Sequence, residues 1–477
     1  MDLRLPNGRV ALPLVATALL TGLITPTAAG ITPAADLAGK TPRDAEITGV
    51  AARDAEIARM VGDVDAKNVE RIITKLASFG TRHTLSSQDD PQRGIGAARD
   101  WIYEEFAAIA ARSGGRMTVE KQSFVQPVSP RIPQPTVITN VVATLRGDQP
   151  ESAGRHYVVS GHYDSRCTDV ANATCDAPGA DDDASGVAVS LEAARVMATR
   201  HFDATVVFMA VAAEEQGLYG SAHYAELAKQ SNVDIQGMFT NDIVGSADGE
   251  NGKAPNAVRV FSEGVPTTET PAQAATRQSV GGENDGVSRQ LARFVRDAAE
   301  TYTRPMDAML VYRRDRYLRG GDHISFLQRG YPAIRFTEVH EDYAHQHQDV
   351  RVENGVQFGD LPKFVDYDYT ARVARVNVAS LAALARAPEP PKGAGIRTTQ
   401  LTNNTDLRWD ASTVPDIAGY EVVWRDSIEP LWTHSRFVGN VTAYTVAGKS
   451  KDNFQFGVRA VDTAGHRSPV SYPLPAN

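Results

Sequence analysis

The chain has 477 residues, of which 42% are hydrophobic and 22% charged, with a formal charge of −9 and a pI near 5.7. That length exceeds what one hydrophobic core usually supports, so two folded units plus tails are expected. No block of Lys and Arg interrupts the acidic balance, which excludes nucleic acid and anionic lipid as expected partners.

Arg4 and Arg9 precede a mostly apolar run from Val10 to Ile24, followed by small residues at Thr27-Ala28-Ala29-Gly30. This layout predicts a secretory signal peptide over residues 1–29 and a secreted, extracellular protein. The run is shorter than the ~20 residues that span a bilayer, and Pro13 interrupts it, so no membrane span is expected. Residues 30–50, rich in Ala, Thr, Pro and Asp, read as an N-terminal extension, and the larger folded domain is expected over 51–387.

A helical stretch opens that domain. From Gly94 to Ala111, Ile95, Ala98, Ile102, Phe106 and Ile109 recur at helical spacing. Strands are predicted at Thr139–Leu145, His156–Ser160, Thr205–Ala212, Ile235–Val244 and Pro332–Thr337, and helices at Ser185–Thr199, Val287–Tyr302 and Thr370–Ala387. This alternation predicts an α/β fold, a mostly parallel central sheet with helices on both faces. Residues 246–285 hold several Gly, Pro, Thr and Glu and read as a surface excursion.

The Pro- and Gly-rich segment 388–395 has the composition of a linker. Beyond it, Leu407-Arg408-Trp409, Gly419–Trp424 and Phe454–Val461 read as strands, which predicts a small all-β sandwich over 396–477. Its aromatic spacing and the closing Ala460-Val461-Asp462-Thr463-Ala464-Gly465 resemble fibronectin type III domains. Such a module implies surface or polymer contact.

Chemistry concentrates at the predicted strand ends, where open α/β sheets place their sites. Gly161-His162-Tyr163-Asp164-Ser165 follows an apolar strand, and two-residue spacing in extended chain puts His162 and Asp164 on one side. Asp164 can then accept from the ring nitrogen that His162 keeps from a metal. Ala180-Asp181-Asp182-Asp183-Ala184-Ser185-Gly186 follows, 20 positions on (182 − 162). Three adjacent carboxylates repel one another unless a cation relieves them; an ordinary N-cap in a solvated acidic loop is the other reading.

Glu214 and Glu215 end another apolar strand, and Asp242 ends a third. Adjacent glutamates suit two tasks, one ligating metal and one carrying a proton. Gly320-Gly321-Asp322-His323 offers a histidine opening a short helix. Glu338 to His347 holds His340, His345 and His347, a polar cluster that reads as a histidine-rich surface loop at least as readily as a functional one. The only two cysteines, Cys167 and Cys175, share one loop, and in an oxidising compartment a small-loop disulfide is expected.

In this order, His-x-Asp, Asp-Asp-x-Ser-Gly, Glu-Glu, a single Asp and Asp-His, the chain resembles the co-catalytic dizinc aminopeptidases typified by bacterial leucyl aminopeptidases, over residues 50 to 387. The resemblance implies two zinc ions bridged by Asp182. Glu215 and His323 would complete one site, His162 and Asp242 the other. It makes Glu214 the general base and Asp164 the partner of His162. A one-place shift of the bridge to Asp181 stays open. The implied activity is release of N-terminal amino acids from peptides or proteins. A single-zinc glutaminyl cyclase-like acyltransferase, a dipeptidase or carboxypeptidase of the same fold, and an inactive binding protein are the alternatives.

Overall fold

The computed structural model describes residues 53–476. The expected signal peptide and N-terminal extension lie outside the described residues.

Eight strands form one mixed sheet: β1 (Met117–Gln126), β2 (Thr136–Leu145), β3 (Arg155–His162), β4 (Thr205–Val211), β5 (Asp234–Asn241), β6 (Ala257–Ser262), β7 (Asp307–Val311) and β8 (Ala333–Glu338). Their order is β1-β2-β4-β3-β5-β8-β6-β7. The centre, β4-β3-β5-β8, is parallel, while β1-β2, β2-β4 and β8-β6 pair antiparallel.

Alternation along the strands explains why both faces are covered. Tyr157 and Val159 of β3 join Val206, Phe208 and Ala210 of β4 in one buried cluster. Val158, Val207, Met209 and Val211 point the other way into a second. Successive side chains leave a strand on opposite faces, so a strand apolar throughout, such as β4 with all seven residues buried, needs helices on both sides.

The first face receives α1 (Ala55–Gly62), α2 (Ala66–Ala77), α3 (Ile95–Ala110), α4 (Ala184–Met197), α7 (Val287–Tyr302) and α9 (Tyr367–Arg386). The second receives α5 (Tyr219–Gln230) and the short α8 (His323–Leu327). The helix α6 (Pro271–Val280) has no buried residue. Among the described residues no helix is long and apolar enough to cross a membrane.

The 246–285 stretch corrects an expectation. It is not surface throughout, because β6 lies inside the sheet with Val258, Val260 and Phe261 buried. Its six residues are flanked by turn-formers that mask the period-two signal.

The C-terminal strands form two sheets. One contains β9 (Gly395–Arg397), β10 (Thr405–Arg408), β13 (Ala443–Val446) and β15 (Leu474–Ala476); the other contains β11 (Ile417–Asp426), β12 (His434–Gly439) and β14 (Phe454–Asp462). Leu407, Trp409 and Val446 from the first side meet Tyr420, Val422, Phe456 and Val458 from the second in their own core. This β-unit docks on α7 through buried charge. Asp285 takes Arg293 Nη1 at 3.0 Å and Arg425 Nη2 at 2.6 Å, and Trp432 Nε1 donates to Gln290 at 3.0 Å. On another side His466 bridges Asp462 (2.7 Å) and Asp54 (2.9 Å), the N-cap of α1.

Candidate metal centre

Parallel strands end at one edge of a sheet, and there the acidic and imidazole groups collect. His162 is the last residue of β3, in register with Val211 at the end of β4, so Glu214 and Glu215 emerge beside it. Asp242 follows β5 directly. Asp182 sits in the turn before α4, where Asp183 caps the helix by accepting from Gly186 N at 2.9 Å and also from His162 N at 2.8 Å. Glycine is required at this crossing. A Cβ on Gly186 would stand 2.0 Å from Asn241 O, and one on Gly161 would stand 2.2 Å from the Gly186 carbonyl carbon. The Ser-Gly after the aspartates therefore lets the helix start lie against two strand ends.

Two groups of donors share one carboxylate. His162 Nε2 lies 3.0 Å from Asp182 Oδ1 and 3.9 Å from Asp242 Oδ1. His347 Nε2 lies 2.9 Å from Asp182 Oδ2 and 3.0 Å from Glu215 Oε1. Within each group one ligand atom per residue lies within 4.8 Å of the others. Glu215 Oε1 is buried and, among the described residues, has no polar neighbour beyond the His347 ring nitrogen at 3.0 Å, as expected of an oxygen that faces a cation.

Electrostatics agree. Burial, with the negative charges of Asp242, Glu215 and Asp322 around it, pushes the Glu214 carboxyl well above its usual range. Burial also disfavours charge on Asp182, but His347 and His162 outweigh it and hold that carboxyl low. Imidazole and carboxylate in this number fit borderline cations such as zinc, which take His nitrogen and Asp or Glu oxygen.

His323 does not join them, which corrects the expected fifth ligand. Its ring is wholly buried at the start of α8, with Nε2 2.9 Å from Arg314 O and 3.4 Å from Asp315 Oδ2. Burial depresses its pKa to about 4, so the ring is neutral and donates to that carbonyl. His347 stands where it was expected. Its backbone is left-handed (φ 56°), Arg166 Nη2 reaches its Nδ1 at 2.6 Å, and Thr168 and Asp349 exchange hydrogen bonds of 3.2 and 3.0 Å nearby. The structure pairs Cys167 with Cys175, closing the ring that carries Thr168. The sequence signal for His347 was the histidine cluster itself, set aside as surface.

Asp164 acts with a different atom from the one expected. His162 Nδ1 lies 3.1 Å from the Asp164 carbonyl oxygen and 3.5 Å from its Oδ1. The carboxylate accepts from the backbone nitrogens of Glu214 (3.2 Å) and Glu215 (3.1 Å), and so fixes the turn that presents both glutamates. Asp181, the alternative bridge, turns away to accept from Gly245 N at 2.6 Å. Asp360 accepts from the backbone nitrogens of Asp181 (2.9 Å) and Asp182 (2.7 Å) and holds the acidic turn from behind.

A family model, "Peptidase family M28", matches residues 140–354, a span that holds all five converging groups, His162, Asp182, Glu215, Asp242 and His347. A Pyrenophora teres f. teres protein named "Probable zinc metalloprotease" is 52% identical over 426 residues, covering 89% of this chain and 88% of its own. A Pyricularia oryzae protein of the same name is 51% identical over 437 residues, covering 90% and 86%. Among solved structures, LapB from Legionella pneumophila aligns with a TM-score of 0.50 at 18% identity, covering 70% of this chain and 76% of its own, a likeness of fold.

Proposed function

The chain belongs to peptidase family M28, and from that premise we propose that it is a secreted zinc aminopeptidase working with two zinc ions. One observation carries the reading: two donor groups share Asp182, one oxygen turned to each. His162 and Asp242 would hold one ion with Asp182, and Glu215 and His347 the other. Each ion would keep positions open for water and substrate. Bound zinc supplies a Lewis acid that lowers the pKa of water to roughly 7 and polarises the scissile carbonyl.

Glu214 is the group free to move a proton. Its backbone is pinned by Asp164 while its carboxylate is half-buried at the mouth of the cluster. It would take the proton of the attacking water and deliver it to the departing amine, a contribution of roughly 10²–10⁴-fold. The choice of the N-terminal end rests on the order of His162, Asp164, Asp182, Glu214, Glu215 and Asp242 along the chain, which resembles that of the dizinc aminopeptidases. The layout from Arg4 to Gly30 and the Cys167–Cys175 bridge support export. The paired four- and three-stranded sheets at the C-terminus support a fibronectin type III-like reading of that unit.

The test is hydrolysis of amino-acid p-nitroanilides, abolished by a chelator and restored by zinc, with metal analysis finding two zinc ions per chain. Protein that binds no zinc and cleaves no N-terminal residue would overturn the proposal.

A further inference from the structure

The docked β-unit reaches the metal centre by a short path. Pro430 O, at its α7-facing edge, accepts from Tyr312 Oη at 2.8 Å and from Arg293 Nε at 2.9 Å. The Arg289 guanidinium covers the Tyr312 ring at 4.1 Å, so the tyrosine is gripped between β-unit and α7. Tyr312 is the root of an arm, residues 313–319, whose tip is exposed at Tyr317 and Leu318.

Midway along, the arm turns one carboxylate inward. Asp315, 3% exposed, meets Arg335 Nη1 at 3.3 Å, and Arg335 Nη2 holds Asp242 Oδ1 at 2.8 Å. Arg335 is wholly buried on β8 and also donates to Gly320 O at 2.7 Å. A buried guanidinium between two carboxylates keeps its orientation only while both are in place, because losing either leaves charge unpaired. The arm's other anchors, Arg316 and Arg319 on Glu341, do not touch Asp242.

We propose that the C-terminal β-unit is a working part of the metal centre: through Pro430, Tyr312, Asp315 and Arg335 it holds Asp242 in the orientation that ligates. This rests on the two-zinc reading above. Tyr312, Asp315 and Arg335 are positioning residues, acting through Asp242. The β-unit is then neither a detachable tether nor a spacer, and its docking sets the affinity of one ion and not the other.

Zinc retention against graded chelator, measured on the full-length chain, tests this. Asp315→Asn should make one of two ions about tenfold easier to remove, the scale seen when a ligand's hydrogen-bonding partner is lost. Tyr312→Phe, which removes only the hydroxyl on Pro430 and keeps the ring under Arg289, should shift the same ion about threefold. Trp432→Ala, at the docking face, should act in the same direction. The double variant Tyr312→Phe/Asp315→Asn should be no weaker than Asp315→Asn alone, since both lie on one path.

Folded Tyr312→Phe with an unchanged chelator curve, or a double variant whose effects multiply, overturns the proposal. If Trp432→Ala fails to fold, Tyr312→Phe decides. Hydrogen exchange over residues 313–321 reads the link without metal. Tyr312→Phe should speed it, and unchanged protection overturns the link even if the wild-type chain holds no zinc, a result that would separately sink the aminopeptidase reading.

Discussion

Replacing each of the two candidate histidines by alanine separates the ligand from its look-alike. His347 Nε2 sits 2.9 and 3.0 Å from an oxygen of Asp182 and of Glu215, so His347→Ala removes the one imidazole of that group. Apparent binding energies of roughly 10–16 kcal/mol for four-ligand zinc sites give ~2.5–4 kcal/mol per ligand. Loss of one ligand then weakens that ion by roughly 10²–10³-fold. His323→Ala removes a buried ring and its bond to Arg314 O. That variant should melt earlier, with the affinity of both ions changed by less than about tenfold. Isothermal titration of metal-stripped protein with zinc, beside a thermal melt of each variant, reads both quantities. A His347→Ala protein that binds both ions normally, or a His323→Ala protein that loses one outright, would refute the assignment.

Glu214→Gln keeps shape and burial but cannot take a proton, so kcat should fall roughly 10²–10⁴-fold with zinc content intact; activity within a few-fold of wild type ends that role. Asp285→Ala leaves Arg293 and Arg425, each 3% exposed, without their carboxylate. Chemical denaturation should show a loss of about 3–5 kcal/mol, and a loss under about 1 kcal/mol would mean the pair is wet. His466 lies between Asp462 and Asp54; burial opposes its charge, but the two carboxylates outweigh that and raise its pKa. Its stabilising effect is therefore full below the unfolded imidazole value of about 6.5 and fades as pH rises through the higher folded value. The melting difference between wild type and His466→Gln should shrink as pH rises above about 6.5, and a constant difference counts against it.

Strong periodicity made the parallel centre of the sheet legible: β3, β4, β5, β8, α3, α4, α7 and α9 fall where their apolar spacing places them, within a few residues. The strands missed from the order, β1, β6 and β7, lie toward the sheet's ends, where partial exposure dilutes the pattern. Four converging groups, His162, Asp182, Glu215 and Asp242, sit at or just after strand ends or before a helix, positions that local sequence can flag. His347 comes from a loop with no regular structure and is aimed by contacts with Arg166 and with the segment around Thr168. Such long-range aim leaves no periodic trace. His323, by contrast, opens a helix next to an aspartate and looks like a ligand locally, while the fold buries it against Arg314 O.

The small ring closed by Cys167 and Cys175 has a bearing on when the centre can assemble. Arg166 and Thr168 flank its first cysteine, and both reach across the chain to the loop of His347. Until the two sulfurs join, that receiving surface is held only by non-covalent contacts such as Arg166 Nε to Glu215 Oε2 at 3.0 Å, and the last imidazole has a looser seat. Maturation of this peptidase would then be coupled to thiol oxidation, with a reducing milieu delaying competence even in a chain whose sheet is already built.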